Sequence, residues 1–178
     1  MTSPLASRRA LVLALGLAGS LVLAACGGRQ PTPDEMAADA AALQALVPVV
    51  EALQVTDFEQ SPWCRNLGYA RGAFGDLTQD GCERDGTVAF DALALDDHRR
   101  VSDAIAASGV PIDRILSVTY DDDGRLETAW FHHAGDELPD RWEYLYDPTG
   151  VVPKAPEAGR REFARAGAAW WFVRSEDD

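Results

Sequence analysis

The spacing of apolar residues changes along this chain, and that change limits the possible folds more than any other feature. Early in the chain, apolar side chains recur at intervals of three and four residues: Met36, Ala40, Leu43, Val47, Val50 and Leu53. This spacing places them on one face of a helix. Thr32 or Asp34 can cap the start of that helix. Pro48 lies inside it, so we expect a kink or a break near Leu46.

A second helix is predicted to begin at Asp96 or Asp97 and to end near Ser108, where Gly109 follows. The residues expected on its inner face are Val101, Ala104 and Ile105. The segment 87–95, which precedes this helix, is predicted to be a short strand. The stretch between Cys64 and Cys82 is rich in Gly, Asp and Asn, and we expect a loop there.

From residue 113 onward the apolar period becomes two, which is typical of strands that are buried on one side. Apolar residues alternate on both sides of the turn 121–124, and this predicts a hairpin. The alternating residues are Leu116, Val118 and Tyr120 before the turn and Leu126, Thr128 and Trp130 after it. Further strands are expected around residues 142–146, 162–165 and 168–174.

Helices followed by antiparallel strands predict an α+β domain. The expected architecture is two N-terminal helices packed on an antiparallel meander sheet of about four to five strands. In the order of its elements the chain resembles the helix-helix-sheet domains of outer-membrane assembly factors and of β-lactamase inhibitory proteins. A cystatin-like arrangement, with a helix packed on a sheet, is the alternative. Both resemblances concern the fold, and a fold does not carry a function with it.

The N-terminus has the features of an export signal. Arg8 and Arg9 precede an uncharged apolar run, 10–25, which is short for a membrane-spanning helix. The run ends in Leu23-Ala24-Ala25-Cys26, which resembles the lipobox of bacterial lipoproteins. The resemblance implies cleavage before Cys26 and attachment of a diacylglyceryl group to its sulfur. Two acyl chains are enough for stable attachment to a membrane.

This resemblance also divides the chain and gives its location. Residues 1–25 would be a lipoprotein signal peptide, 26–33 a lipidated tether, and 34–178 a single α+β domain. The protein is then exported and held to the cell membrane or the outer membrane by the lipid on Cys26. The folded domain lies outside the cytoplasm.

The charge of the chain excludes one class of partner. The net charge is −13, with 16 basic and 29 acidic residues, and binding to nucleic acid needs clustered Lys and Arg. Removal of residues 1–25 takes away two arginines and no acid, so the mature chain carries −15. At 47% hydrophobic and 25% charged residues, the composition is that of a folded protein.

Two cysteines remain once Cys26 is assigned to lipid. Cys64 and Cys82 form an even pair in an exported chain, so a disulfide between them is expected. A catalytic redox pair would more often have the spacing C-x-x-C. The disulfide therefore has a structural role in this prediction.

The sequence contains no motif that indicates catalysis, and no cofactor is expected. There is no G-x-S-x-G, no H-E-x-x-H and no G-x-x-x-x-G-K. His132 and His133 are neighbours on a predicted strand, so they should face opposite sides of the sheet. The acidic run 121–123 is accounted for by a turn. The stretch from Asp76 to Asp85 lacks the spacing of a calcium loop, but the disulfide would hold its acids in place, and a calcium site there stays an alternative.

Three functions remain as hypotheses. The first is a membrane-anchored, non-catalytic binding module that recognises a protein or a small ligand through exposed aromatic residues of the sheet, with Trp142, Tyr144 and Trp171 as candidates. The second is an acidic inhibitor or immunity-type lipoprotein that acts on a basic envelope enzyme. The third is a metal-dependent hydrolase that uses His98 with His132 or His133.

Overall fold

The structure of the protein is a computed structural model. It describes residues 30–61, 65–70, 74–76, 88–89, 92–134, 140–151 and 160–176. The described helices are α1 (Pro33–Leu43), α2 (Val47–Leu53) and α3 (Ala92–Ser108). The described strands are β1 (Val55–Gln60), β2 (Arg65–Tyr69), β3 (Phe74–Asp76), β4 (Val88–Ala89), β5 (Ile112–Tyr120), β6 (Leu126–His133), β7 (Asp140–Tyr146), β8 (Arg160–Gly167) and β9 (Trp170–Glu176).

All nine strands form one sheet, in the order β4-β3-β2-β1-β5-β6-β7-β9-β8. Neighbouring strands are antiparallel except for β3 and β4, which are parallel.

The α+β class is confirmed. The structure has more strands than the four to five predicted: β2 and β3 lie where the sequence indicated a loop, and β1 lies in a segment for which no strand was predicted. Within the predicted strand 87–95 the structure describes β4 at Val88–Ala89, whereas α3 already begins at Ala92 and not at Asp96 or Asp97. The segment 92–95 consists of Ala and Leu, which are strong helix formers.

The first helical segment is interrupted where its proline predicts. α1 ends at Leu43 and α2 starts at Val47, with Pro48 in the first turn of α2, where its missing N–H group would be unpaired in any case. Thr32 caps α1. Its hydroxyl accepts from the backbone N–H of Glu35, and the Glu35 carboxylate accepts from the backbone N–H of Thr32 at 2.7 Å.

The three helices pack against one side of the sheet, here called the helix face. A row of buried residues crosses this face in register from β1 to β9: Phe58, Ile115, Phe131, Tyr144 and Phe172. The helices contribute Leu43, Val50 and Val101 to the same core, among other residues. The helical stretch Pro33–Leu53 is long and apolar enough to cross a membrane by length and composition, and its buried apolar residues belong to this core.

The opposite side of the sheet, here called the far face, carries a second and smaller core. Leu145, Trp171 and Val173 are buried there, and Trp130 and Phe163 pack against them. No residue of the described helices belongs to this cluster. The neighbours Trp170 and Trp171 therefore lie in different cores, as the alternation of side chains along a strand requires.

Candidate functional site

Several residues singled out in the sequence lie outside the part of the chain that the structure describes. Cys26, Cys64 and Cys82 are among them, and so is most of the acidic stretch from Asp76 to Asp85. The lipidation of Cys26 and the disulfide therefore remain predictions.

The three aromatic candidates do not form one surface. Tyr144 is 1% exposed and lies in the core of the helix face. Trp142 packs partly buried against that same core, with its ring centroid 6.3 Å from that of Phe172. Trp171 is 7% exposed and belongs to the far face. Of these three residues, only Trp171 contributes to the candidate site described below.

The histidines are also separated by the sheet. His98 on α3 is buried, with its Nε2 atom 3.1 Å from the carbonyl oxygen of Glu59 and its ring 4.7 Å from that of Phe58. Burial lowers the pKa of His98 below its ordinary value. His133 contacts the ring of Trp142 on the helix face, whereas His132 pairs with Glu143 on the far face. Among the described residues, no three His, Cys, Asp or Glu side chains are placed to hold a metal ion.

A row of charged residues crosses the far face in register: Glu59, Arg114, His132 and Glu143 on four successive strands. Nδ1 of His132 lies 2.9 Å from Oε1 of Glu143, and Nε of Arg114 lies 3.8 Å from Oε1 of Glu59. Asp113 adds a carboxylate 3.9 Å from Nε of Arg114. Burial raises the pKa of Asp113, while the charges of Arg114 and His132 oppose that rise.

An arginine and a tryptophan meet above the end of this row. The guanidinium carbon of Arg161 lies 5.0 Å from the centre of the Trp130 ring. Arg161 is on β8 and Trp130 is on β6, three strand spacings apart, or about 14 Å. The register places Glu143 and Val173 midway between them. We call the Arg161–Trp130 contact the cover, since it passes over these two residues. Glu143 and Val173 are 5% and 0% exposed.

Three buried polar atoms beside the cover have no hydrogen-bond partner among the described residues: Oε2 of Glu143, Nε1 of Trp171 and Oγ of Ser175. Glu143 is paired with Val173, and Trp171 and Ser175 flank Val173 on β9. All three side chains therefore point to the far face around one position. We call these three residues and the cover above them the covered site.

The chemistry of the covered site is that of recognition. Glu143 Oε2 can only accept, Trp171 Nε1 can only donate, and Ser175 Oγ can do both. A histidine paired with a carboxylate is also found in the Ser-His-acid triads of hydrolases, where it activates the serine. However, Ser175 makes no hydrogen bond to His132 and lies two strands away from it.

A separate cleft of about 550 Å³ opens at one end of the sheet, beside the β5–β6 turn. Four acidic residues and one arginine line it: Glu51, Asp121, Glu127, Asp147 and Arg125. Three of the acids are held in place by backbone groups, and Oε2 of Glu51 accepts from the N–H group of Leu126. Oδ1 of Asp121 accepts from the N–H groups of Asp123 and Arg125, and Oδ1 of Asp147 accepts from that of Thr149.

Sequence reasoning missed Glu143, Ser175 and Arg161. One signal was present. Trp142, Tyr144 and Tyr146 alternate on β7, so Glu143 and Leu145 must share the opposite face. No comparable pattern in the sequence predicts that β7 pairs with β9 or that β8 lies beyond β9.

Comparison with protein-family models, with curated proteins and with solved structures found no match to this chain. The candidate site therefore rests on its own geometry.

Proposed function

We propose that this protein is an exported lipoprotein that acts as a membrane-anchored, non-catalytic binding module. The lipid on Cys26 holds it at the cell membrane or the outer membrane, and the domain outside the cytoplasm binds a protein or a small ligand through the far face. The basic residues, the apolar run and the four-residue box at the N-terminus support the anchor.

One observation carries the binding role, namely the three unpartnered polar atoms of the covered site. A buried polar group without a hydrogen bond costs about 1–3 kcal/mol, and native proteins contain few such groups. Three of them around one position of a sheet are a large cost for a small domain. A bound molecule that supplies their partners removes that cost.

The anchor is tested by labelling cells that express the full chain with a radioactive fatty acid. We expect label on the wild-type protein and none on the Cys26→Ser variant, which keeps a small polar side chain at that position. Label that persists on Cys26→Ser, or wild-type protein that fractionates without membrane, would contradict the anchor.

The binding role is tested with the full lipidated chain in detergent, incubated with protein and small-molecule extracts of the envelope. We expect a stoichiometric ligand on the wild type that is lost from Glu143→Gln and from Ser175→Ala. Glu162→Gln is the matched control, because it makes the same change at an exposed position of β8. A ligand held equally by all four proteins binds elsewhere, and that result contradicts the proposal.

The acid-lined cleft favours a second candidate function, that of an acidic inhibitor of a basic envelope enzyme. The cleft has four carboxylates and one guanidinium, and the chain as a whole is strongly acidic. Such a surface accelerates association with a cationic protein and makes binding sensitive to salt.

Glu127→Gln tests this candidate, because Glu127 is exposed on the rim of the cleft. Slower association with a captured basic protein is expected, whereas Asp103→Asn, which removes an exposed charge on α3, should leave the rate unchanged. If the two substitutions slow association equally, the net charge of the protein and not the cleft determines the rate, and the candidate function loses its support from the cleft.

A further inference from the structure

We propose that the covered site binds one ring of an uncharged saccharide, which enters when the cover moves aside. This inference rests on the proposed binding role of the far face and names the class of ligand.

The hydrogen-bonding capacity of the site points to hydroxyl groups. Glu143 Oε2 needs a donor, Trp171 Nε1 needs an acceptor, and Ser175 Oγ can use either. A hydroxyl group both donates and accepts, so one molecule with several hydroxyl groups satisfies all three atoms. Trp171 and Ser175 lie on either side of Val173, four residues apart on β9, so the ring and its hydroxyl groups must bridge about 13 Å along the strand.

The apolar surroundings fit the carbon faces of such a ring. Leu145 and Val173 lie beside Glu143, and the indole groups of Trp130 and Trp171 lie next to them. A sugar ring presents hydroxyl groups at its edge and C–H groups on its faces. The covered site likewise combines polar atoms, which can bond the hydroxyl groups, with aliphatic and aromatic side chains, which can contact the C–H groups.

The charges of the site favour an uncharged ligand. One oxygen of the Glu143 carboxylate already has Nδ1 of His132 at 2.9 Å, which leaves Oε2 to be satisfied by a neutral donor. A carboxylate or phosphate group would be repelled by Glu143. Arg114 lies near both Glu59 and Asp113, and its charge is offset within the row.

The cover can open without breaking a hydrogen bond. Among the described residues, the only contact that the structure gives the Arg161 side chain is with the face of the Trp130 ring, and a single cation–π contact is a weak interaction. By contrast, Arg165, stacked on Trp171, also donates hydrogen bonds to the carbonyl oxygens of Gly150 and Ala168. Arg161 is therefore the movable member of the two, and Arg165 is the fixed one.

The test uses the full lipidated chain in a detergent without a sugar headgroup, with glucose, N-acetylglucosamine and maltotriose as probes. Ethanolamine and citrate serve as cationic and anionic comparison ligands. Titration calorimetry gives the Kd, and tryptophan fluorescence reports on Trp130 and Trp171. We expect at least one saccharide to bind, with its Kd raised tenfold or more by Glu143→Gln and by Ser175→Ala.

Two further variants make the result specific. Arg161→Ala removes the cover without removing any of the three polar atoms, so the association rate should rise while binding is kept. Glu162→Gln should bind as the wild type does. Circular dichroism shows which variants are folded. Should Glu143→Gln not fold, Ser175→Ala decides the question, because Ser175 lies near the end of β9 and is partly exposed.

The proposal is overturned if no saccharide binds, or if Glu143→Gln and Ser175→Ala bind saccharide as tightly as the wild type. Binding of ethanolamine or citrate in place of the saccharides also overturns it. In each of these cases, an envelope ligand that depends on Glu143 and Ser175 would still support the far face as a binding surface. The two proposals can therefore fail separately.

Discussion

The hydroxyl of Tyr144 donates a 2.6 Å hydrogen bond to the carboxylate of Asp39, 105 residues away along the chain. It joins the middle of β7 to α1. Burial, together with the adjacent Asp39, raises the pKa of Tyr144, so the phenol keeps its proton and remains the donor. Tyr144 therefore links α1 to the sheet from a buried position.

Removal of this hydroxyl should affect stability alone. Tyr144→Phe is expected to lower the free energy of unfolding by about 1.5–3 kcal/mol, the range for a hydrogen bond to a charged group. Asp39→Ala and the double variant complete a cycle in urea denaturation, and the two losses should be non-additive. Additive losses would show that the two groups do not interact. Ligand binding at the far face should be unchanged in Tyr144→Phe.

His98 should make the domain less stable in mild acid. Burial lowers the pKa of His98 in the folded state below its unfolded value of about 6.5, so the unfolded chain binds the proton more readily. The neutral, buried imidazole contributes its full share to the free energy of unfolding above pH 6.5. That contribution is lost as the pH falls through the lowered pKa of the folded state. Urea denaturation at pH 7.5 and pH 5.0 measures the loss. In His98→Gln the difference between the two pH values should shrink.

Gln54 has a left-handed backbone, with φ at 53°, where α2 ends. Its Nε2 atom also donates to the carbonyl oxygens of Glu51 and Gly124, which ties the helix to the β5–β6 turn. Gln54→Ala loses these bonds and keeps the backbone strain, whereas Gln54→Gly loses the bonds and relieves the strain. The glycine variant should be the more stable of the two by about 1–2 kcal/mol. Equal thermal midpoints would contradict this account.

The predicted disulfide between Cys64 and Cys82 should stabilise the domain. In the chain-entropy model, a loop of this length contributes roughly 3 kcal/mol. Thiol titration of the unfolded, unreduced protein should find neither cysteine free, and reduction should lower the urea midpoint. The double variant Cys64→Ser, Cys82→Ser should match the reduced protein. If both cysteines of the wild type react as free thiols, the predicted disulfide is absent.

The features that the sequence determined are local. Pro48 divides the first helical segment because a proline ring cannot follow a full helical turn. His132 and His133 face opposite sides of the sheet because the side chains of a strand alternate. Gly124 closes the β5–β6 turn with φ at 78°, a conformation that glycine adopts without strain. Each of these properties depends only on residues that lie within a few positions of one another in the sequence.

Apart from the β5–β6 hairpin, which the sequence predicts, only the tertiary structure decided which strands become neighbours. The short strands β1 to β3 have weak alternation of their own and form through pairing with one another and with β5. The pairing of β7 with β9 brings Ser175 and Trp171 to Glu143, and the edge position of β8 lets Arg161 reach Trp130. These contacts join residues that are far apart in the chain. Their free energy comes from burial in the assembled sheet, which no local pattern of residues encodes.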